Sequence, residues 1–541
     1  MMNNITNFLI FIIVSFVSKN IYSQIAPFRI SLEPVNIEGL GGLQSFAFGQ
    51  HNGKWLLVGG RLDGLHRRQP FAAFDQTGHN TQLIVIDPIT KQKWTSPLTS
   101  LSTELQDQLS STNMEFYQDG KYLYLIGGYG YSPTFDDHFT YSRLTAIDVA
   151  SVIQAIINHS SITPHFRQII DPQFQVTGGQ LEKINNTFYL VGGQKFMGLY
   201  NPMGPHHGPG FTQEYSNQIR KFILNDNGDK INIQHLPSIT DTAQLHRRDF
   251  NVVPQIFPDG GEGLTAFSGV FQTKADLPYL NCVNIDSIAY QPNRNFTQYY
   301  NHYHCAKIPL YSAGKHEMHN LFFGGIAQYY DSLGTLVQDN NVPFVKTIAR
   351  VTRYANGSMA EYKLPIEMPA LLGAGSEFIP NEQLSTYPNG VIKLDDLLDD
   401  TTQLGYIFGG ISSTAANIFW TNEGDLSSAS HQLFKVYLIK NHTSDIDNIN
   451  KQSTGTLKLM VYPNPNDGHM IIEYQLIQSS DVKISLYNGN GKIIEEKILK
   501  NQAIGKHTTI KKIPNLSTGG VYFLTIKSNY ETAKQKIIVE P

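Results

Sequence analysis

One pattern of apolar and polar positions recurs six times along the chain. Trp55-Leu56-Leu57-Val58-Gly59-Gly60 returns as Leu123-Tyr124-Leu125-Ile126-Gly127-Gly128 and as Phe188-Tyr189-Leu190-Val191-Gly192-Gly193. It returns again as Leu321-Phe322-Phe323-Gly324-Gly325 and Tyr406-Ile407-Phe408-Gly409-Gly410, with a degenerate copy, Leu264-Thr265-Ala266-Phe267-Ser268-Gly269, in between. Each run of aliphatic, β-branched and aromatic residues predicts a buried strand. Each ends in glycine, where a backbone needs positive φ or close approach to a neighbour. In repeat one, Leu43 to Gln50 predicts the preceding strand, His51-Asn52-Gly53-Lys54 the hairpin turn, and Thr81 to Asp87 and Lys91 to Pro97 two further strands. Four antiparallel strands per repeat make the blade of a β-propeller, so the pattern predicts an all-β, six-bladed propeller over residues 27–440. Repeat six supplies only three strands. Phe28-Arg29-Ile30-Ser31-Leu32 alternates apolar and polar ahead of repeat one, and is predicted to complete blade six beside Gln432 to Ile439. Closing the ring this way removes exposed sheet edges.

The pattern changes at both ends. Phe8 to Val17 is an apolar run of ten residues followed by a polar exit, Ser18 to Gln24. It is too short for a resident membrane helix and reads as a signal peptide over 1–23, although only the free amino terminus supplies positive charge ahead of it. No other run approaches ~18 apolar residues, so no resident membrane span is expected. Residues 441–456 are polar and aperiodic, a linker. Residues 457–541 alternate again in short segments, such as Val482-Lys483-Ile484-Ser485-Leu486-Tyr487 and Val521-Tyr522-Phe523-Leu524-Thr525-Ile526, with Asn/Gly turns. They predict a second, small β-sandwich domain.

Composition adds two constraints. A net charge of -4 with 16% charged residues excludes the basic footprint of a nucleic-acid binder. The only cysteines are Cys282 and Cys305. In an exported chain the pair invites a disulfide, and two separate buried thiols are the other reading.

The runs ending in Gly-Gly, a following strand ending in Asp, and an aromatic in the fourth strand resemble the kelch repeat family over most of residues 27–440. Five of six repeats carry the double glycine, and only repeat one has the family's fourth-strand tryptophan, Trp94 after Asp87. The repeats exceed the ~50 residues usual for kelch, which places the excess in long loops. In the C-terminal segment, Val461-Tyr462-Pro463-Asn464-Pro465-Asn466-Asp467-Gly468 resembles the opening of the type A sorting domain of the type IX (Por) secretion system. Leu486-Tyr487-Asn488, Leu516-Ser517-Thr518-Gly519, Gly520-Val521-Tyr522-Phe523 and Lys536-Ile537-Ile538-Val539 continue the motif. The resemblance implies a Bacteroidetes-type exporter as partner, passage across the periplasm and outer membrane, and a protein that is secreted or held at the cell surface.

Motifs for familiar chemistry are missing: there is no P-loop, no Gly-x-Ser-x-Gly and no His-Glu-x-x-His, and no helix opens after the glycine runs as a dinucleotide site requires. Asp395-Asp396-Leu397-Leu398-Asp399-Asp400 lacks the alternating ligands of a calcium loop and reads as solvated. No metal or other cofactor is therefore expected. Blade topology instead puts the long connections between second and third strands (61–80, 129–142, 194–217, 326–343 and 411–430) on one face together with the inter-blade loops. Long loops on a rigid scaffold concentrate binding and catalysis. That face collects His66-Arg67-Arg68, His206-His207, Glu214, His246-Arg247-Arg248-Asp249, His302 and His304. In a strand, His302 and His304 would share a side like two metal ligands, yet no third ligand accompanies them. Arginines beside tyrosines suit an acidic sugar, sulfate or carboxylate, held by bidentate hydrogen bonds and ring stacking; loop-to-loop pinning by the same residues is the structural reading. Two function classes follow: a binding module for a glycan or other anionic ligand, or a carbohydrate-active enzyme with His246 or His302 as base and arginines holding an anion.

Overall fold

Six sheets, each built on four antiparallel strands, follow one another along residues 28–440 of the computed structural model. It describes residues 27–204, 210–332, 334–441, 457, 459–464, 466–476, 478–488, 492–512, 520–529 and 531–539. Ile392–Lys393 adds a parallel fifth strand to one sheet and Ser427–Ala429 a short fifth strand to another. Blade one is Ala47–His51, Lys54–Val58, Gln82–Asp87 and Gln92–Pro97, hydrogen-bonded in that order. Blades two to five repeat the order from Glu115–Asp119, Gln180–Ile184, Asn251–Ile256 and Lys307–Ser312. Blade six takes Leu371–Pro380, Thr401–Ser413 and Leu433–Lys440 from the end of the ring and Phe28–Val35 from its start. The closing pair is antiparallel from Phe28 opposite Lys440 to Val35 opposite Leu433, as the alternation at residues 28–32 requires. The apolar runs are strand two of each blade, buried on both faces between neighbouring blades: Leu56, Leu57, Val58, Leu125, Ile126, Leu190, Leu321 and Phe322 are all fully buried.

Two closed rings of backbone hydrogen bonds join the blades. In the first, each repeated glycine pair donates to the next blade: Gly60 to Ser111, Gly128 to Val176, Gly193 to Arg247, Gly269 to His302, Gly325 to Leu372 and Gly410 to Leu43, at 2.8–3.1 Å. Gly127 shows why the motif needs glycine. It and Gly128 have φ of +63° and +93°, and a Cβ on Gly127 would stand 1.9 Å from the Val176 carbonyl oxygen. The degenerate fourth copy keeps the bond through Gly269, with Ser268 taking the left-handed φ of 48°. The second ring lies at the axis, where the innermost strands begin. Ser45 donates to Gly375, Gly375 to His304, His304 to Asp249, Asp249 to Gly178, Gly178 to Asn113 and Asn113 to Ser45, at 2.7–3.2 Å.

The long connections are more ordered than their polarity suggests. Those of blades two and three fold into one joint sheet of Tyr129–Ser132, Asp137–Thr140, Gln194–Met197 and Thr212–Tyr215. Those of blades one and six are stitched together by Asn422, whose side chain donates to the Leu65 and His66 carbonyls while its own carbonyl accepts from Arg68. Cys282 and Cys305 are both free and buried in one apolar cluster with Phe267, Phe296 and Phe322, so the disulfide reading is corrected to two thiols. Burial pushes them up to about 11 and about 12. Asp395 is a staple: its carboxylate accepts from the Ser312 hydroxyl and the Gly314 N–H.

The C-terminal unit is separate. A sheet of Leu459–Tyr462, His469–Leu476 and Gly505–Lys512 and a sheet of Ile493–Gln502, Ser480–Asn488, Gly520–Lys527 and Thr532–Val539 bury Ile472, Tyr474, Ile484, Leu524 and Ile537 in one core. Residues 1–23, expected from the sequence to be a signal peptide, and residues 442–456 of the expected linker lie outside the described residues.

Candidate ligand site

The inter-blade loop 245–249 delivers consecutive residues to opposite environments. Arg247 turns inward and is 1% exposed. Its Nε donates to the Gln244 carbonyl, its Nη1 to the Ser268 and Asn281 carbonyls and its Nη2 to the Asn281 side chain, with the guanidinium 4.0 Å from the Tyr279 ring centroid. Every nitrogen is engaged, so Arg247 pins blade four, and its place among the ligand candidates is corrected accordingly. Arg248 turns the other way. Its Nε donates to the Tyr215 hydroxyl at 3.0 Å, its Nη1 pairs with Asp249, and its guanidinium lies 5.1 Å from the Phe271 ring centroid. Burial opposes its charge, and Tyr215, Asp249 and Tyr303 outweigh that and hold it firmly cationic. His246 stacks on Tyr215 with ring centroids 3.7 Å apart, and its Nδ1 lies 2.8 Å from the Asn217 side-chain oxygen. Burial, and then Arg248, push its imidazole below the usual range, so it is neutral at pH 7.

His66 reaches the same neighbourhood from blade one. It packs edge-on against Tyr200, 4.8 Å between centroids, beside Phe74. Burial pushes it down to about 4, and the nearby Arg248 adds to the effect. Arg67 and Arg68 are exposed, and Arg67 lies against Gly424 of the blade-six loop. Glu214 is exposed on the edge of the joint sheet, opposite Lys195. His206 and His207 lie outside the described residues.

His302 and His304 do not form a pair of ligands, because neither sits in a strand. His302 is fully buried, with Nδ1 accepting from the Gln328 N–H and Nε2 therefore donating to the Gln298 carbonyl. Burial pushes it down to about 4. His304 belongs to the axial ring, with its Nε2 3.0 Å from Glu377 Oε1. Among the described residues no hydrogen bond joins any two of His66, His246, His302 and Glu214, the four groups that an acid–base network would need.

Below the axial ring runs a cavity of about 410 Å³ lined by the innermost strands. Asp249 and His304 of the axial ring line it, as do Glu115, Glu182, Glu377 and Lys307. The sequence reading missed the last four. Their signal is a charged residue in the innermost strand of a blade, beside other polar residues in Glu115–Asp119 and Gln180–Ile184 that mask it. Glu115 is 1% exposed, and burial pushes it up to about 8 although Oε1 accepts the Gly179 N–H. Burial pushes Glu182 up to about 7, with Lys307 pulling it down and Glu377 adding to the rise. Lys307 donates to the Gln180 side chain at 2.7 Å. The 1–2 connection of blade six, another unforeseen insertion, also lines the cavity through Asn389, Gly390 and Ile392.

Residues 460–540 match the family described as secretion system C-terminal sorting domain. The chain carries a type IX sorting domain. It is exported, to the cell surface or the medium, and no helix among the described residues is long and apolar enough to cross a membrane. No curated protein matches the chain. Among solved structures, YjhT is similar at 10% identity and a TM-score of 0.39, over 75% of this chain and 99% of that one. A glycoside hydrolase family 43 arabinoxylan arabinofuranohydrolase from Bacillus subtilis is similar at 9% identity and a TM-score of 0.26, over 93% and 96%. Identity this low transfers no chemistry.

Proposed function

We propose that this exported protein is a ligand-binding propeller of the kelch type, sent to the periplasm by its signal peptide, and that its loop-built face takes an anionic ligand such as a carboxylated or sulfated glycan. The observation that carries the reading is Arg248. Loops of blades three, four and five bring Tyr215, Phe271 and Tyr303 to one guanidinium, while blade one brings His66 near it. A firmly charged planar fork among aromatic rings binds carboxylate or sulfate by paired hydrogen bonds and offers ring faces for a sugar to stack on. Asp249 neutralises part of the charge, which favours exchange of a ligand over permanent capture.

A second reading rests on His246. It is neutral at pH 7, half-buried, and beside Arg248, the arrangement a general base needs next to an anion holder. A glycan-array screen of residues 27–440, followed by calorimetry on the hits, tests both. Arg248→Ala is expected to weaken an anionic hit at least roughly tenfold, and Arg248→Lys to restore little, because an ammonium lacks the fork. Equal binding by wild type and Arg248→Ala rejects the site. Turnover of the hit that disappears in His246→Gln, with binding retained, decides for the enzyme.

A further inference from the structure

We infer that the axial cavity is a second binding site, for a small organic ammonium ion. The site lies below the ring of hydrogen bonds, shares only Asp249 with the Arg248 site of the loop-built face, and its chemistry is opposite in sign. Glu377 is 5% exposed and lines the cavity, yet its Oε1 makes no hydrogen bond, only the contact with His304. Glu115 Oε2 is buried and likewise makes no hydrogen bond among the described residues. Glu182, from a third blade, faces the cavity with no hydrogen bond among the described residues. The one lysine on the wall, Lys307, donates to Gln180 and to none of the three. A buried carboxylate oxygen that no hydrogen bond satisfies is costly, and Glu377 Oε1 and Glu115 Oε2 are two such oxygens on residues that line the cavity, where a donor-bearing cation gains most.

The walls select the kind of cation. Phe48, Phe116 and Phe378 line the same cavity, with Phe48 and Phe116 in edge contact at 5.3 Å. Ring faces attract a positive charge that carries alkyl groups, and they stabilise a strongly hydrated metal ion far less. The carboxylates also stand on three different blades, and among the described residues no three His, Cys, Asp or Glu side chains are grouped as metal ligands. An alkyl ammonium or diammonium ion needs no such cluster, because each N–H can donate to one carboxylate.

Binding must compete with protons. Glu182 is faced by Lys307 from blade five and Glu377 from blade six, and Glu115 by the Gly179 N–H, Arg220 and Asp249. Raised acids are ionised by a bound cation, so the affinity should rise with pH and protons should leave on binding.

Calorimetry of the full chain with propylamine, putrescine and cadaverine hydrochlorides at pH 6 and pH 8 tests the site. At least one is expected to saturate, to bind roughly tenfold tighter at pH 8, and to give heats that vary with the buffer's ionisation enthalpy. Glu377→Gln is expected to weaken it by roughly tenfold or more. Glu182→Gln, at a half-buried position, gives the same readout should Glu377→Gln fail to fold. The inference is overturned if none of the three saturates, if calcium chloride saturates where they do not, or if both variants bind like the wild type. Arg248 is not among the residues that line the cavity, so loss of anionic-glycan binding in Arg248→Ala and loss of ammonium binding in Glu377→Gln are separate outcomes, and either reading can fail without the other.

Discussion

Burial decides what each charged side chain contributes, and neighbours in sequence diverge. Arg247 and Arg248 were indistinguishable as residues in a loop. Only the inward turn of one, with every nitrogen engaged by blade four, separates a pin from a site residue. His302 and Glu115 give the molecule opposite pH dependences. An unfolded histidine takes a proton near 6.5 and buried His302 only near about 4, so its contribution is complete above 6.5 and is lost as the pH falls towards 4. Glu115 is the reverse: the unfolded carboxyl ionises near 4.5 and the folded one near about 8. Its contribution is complete below 4.5 and lost as the pH rises through 8. Glu115→Gln keeps an oxygen for the Gly179 N–H and removes the ionisation. It is expected to stabilise the propeller by roughly 4 kcal/mol at pH 8 and by well under about 1 kcal/mol at pH 4.5. Urea unfolding at the two pH values checks this, and equal effects at both would show that Glu115 does not titrate as described.

At the scale of the element, the repeat was legible because its cause is local. A strand buried on both faces must be apolar, and a strand end that abuts the next blade's carbonyl must be glycine. Gly127→Ala is therefore expected to cost more than about 3 kcal/mol, from a left-handed φ and a clash with Val176 that strand two cannot relieve without breaking the Gly128 bond. Ser268→Gly in the degenerate copy should stay within about 1 kcal/mol, since serine already accepts the same φ there. Denaturant midpoints of the two variants test the contrast. What was not legible depends on partners distant in sequence. The joint sheet pairs Met197 with Phe139 across two loops, and the axial carboxylates meet only when blades two, three and six close. Spacing along the chain carries no record of either. The six-copy count, the closing strand and the face carrying Arg248 follow from periodicity. The cavity wall and the roles of His302 and His304 do not.

For the whole molecule, closure of the propeller and export are expected to be separable. The last propeller strand, Leu433–Lys440, is covered by Phe28–Val35, and buried Phe28 and Ile30 join the core of blades five and six. The ring is thus complete at Lys440, with no unpaired strand handed on to the sorting domain, whose two sheets have a core of their own. Removing 457–541 should leave the propeller's melting temperature unchanged while abolishing passage across the outer membrane, so that a folded, soluble propeller accumulates in the periplasm. Removing 28–35 instead should expose the edge of Leu433–Lys440 and the apolar side chains beneath it, a template for aggregation. Fractionating cells that express the full chain and each deletion, with protease resistance as the measure of folding, distinguishes the two. Normal surface or medium levels without 457–541 would mean that export does not depend on that domain. An unfolded product of the same deletion would mean that the propeller's closure does not end at Lys440.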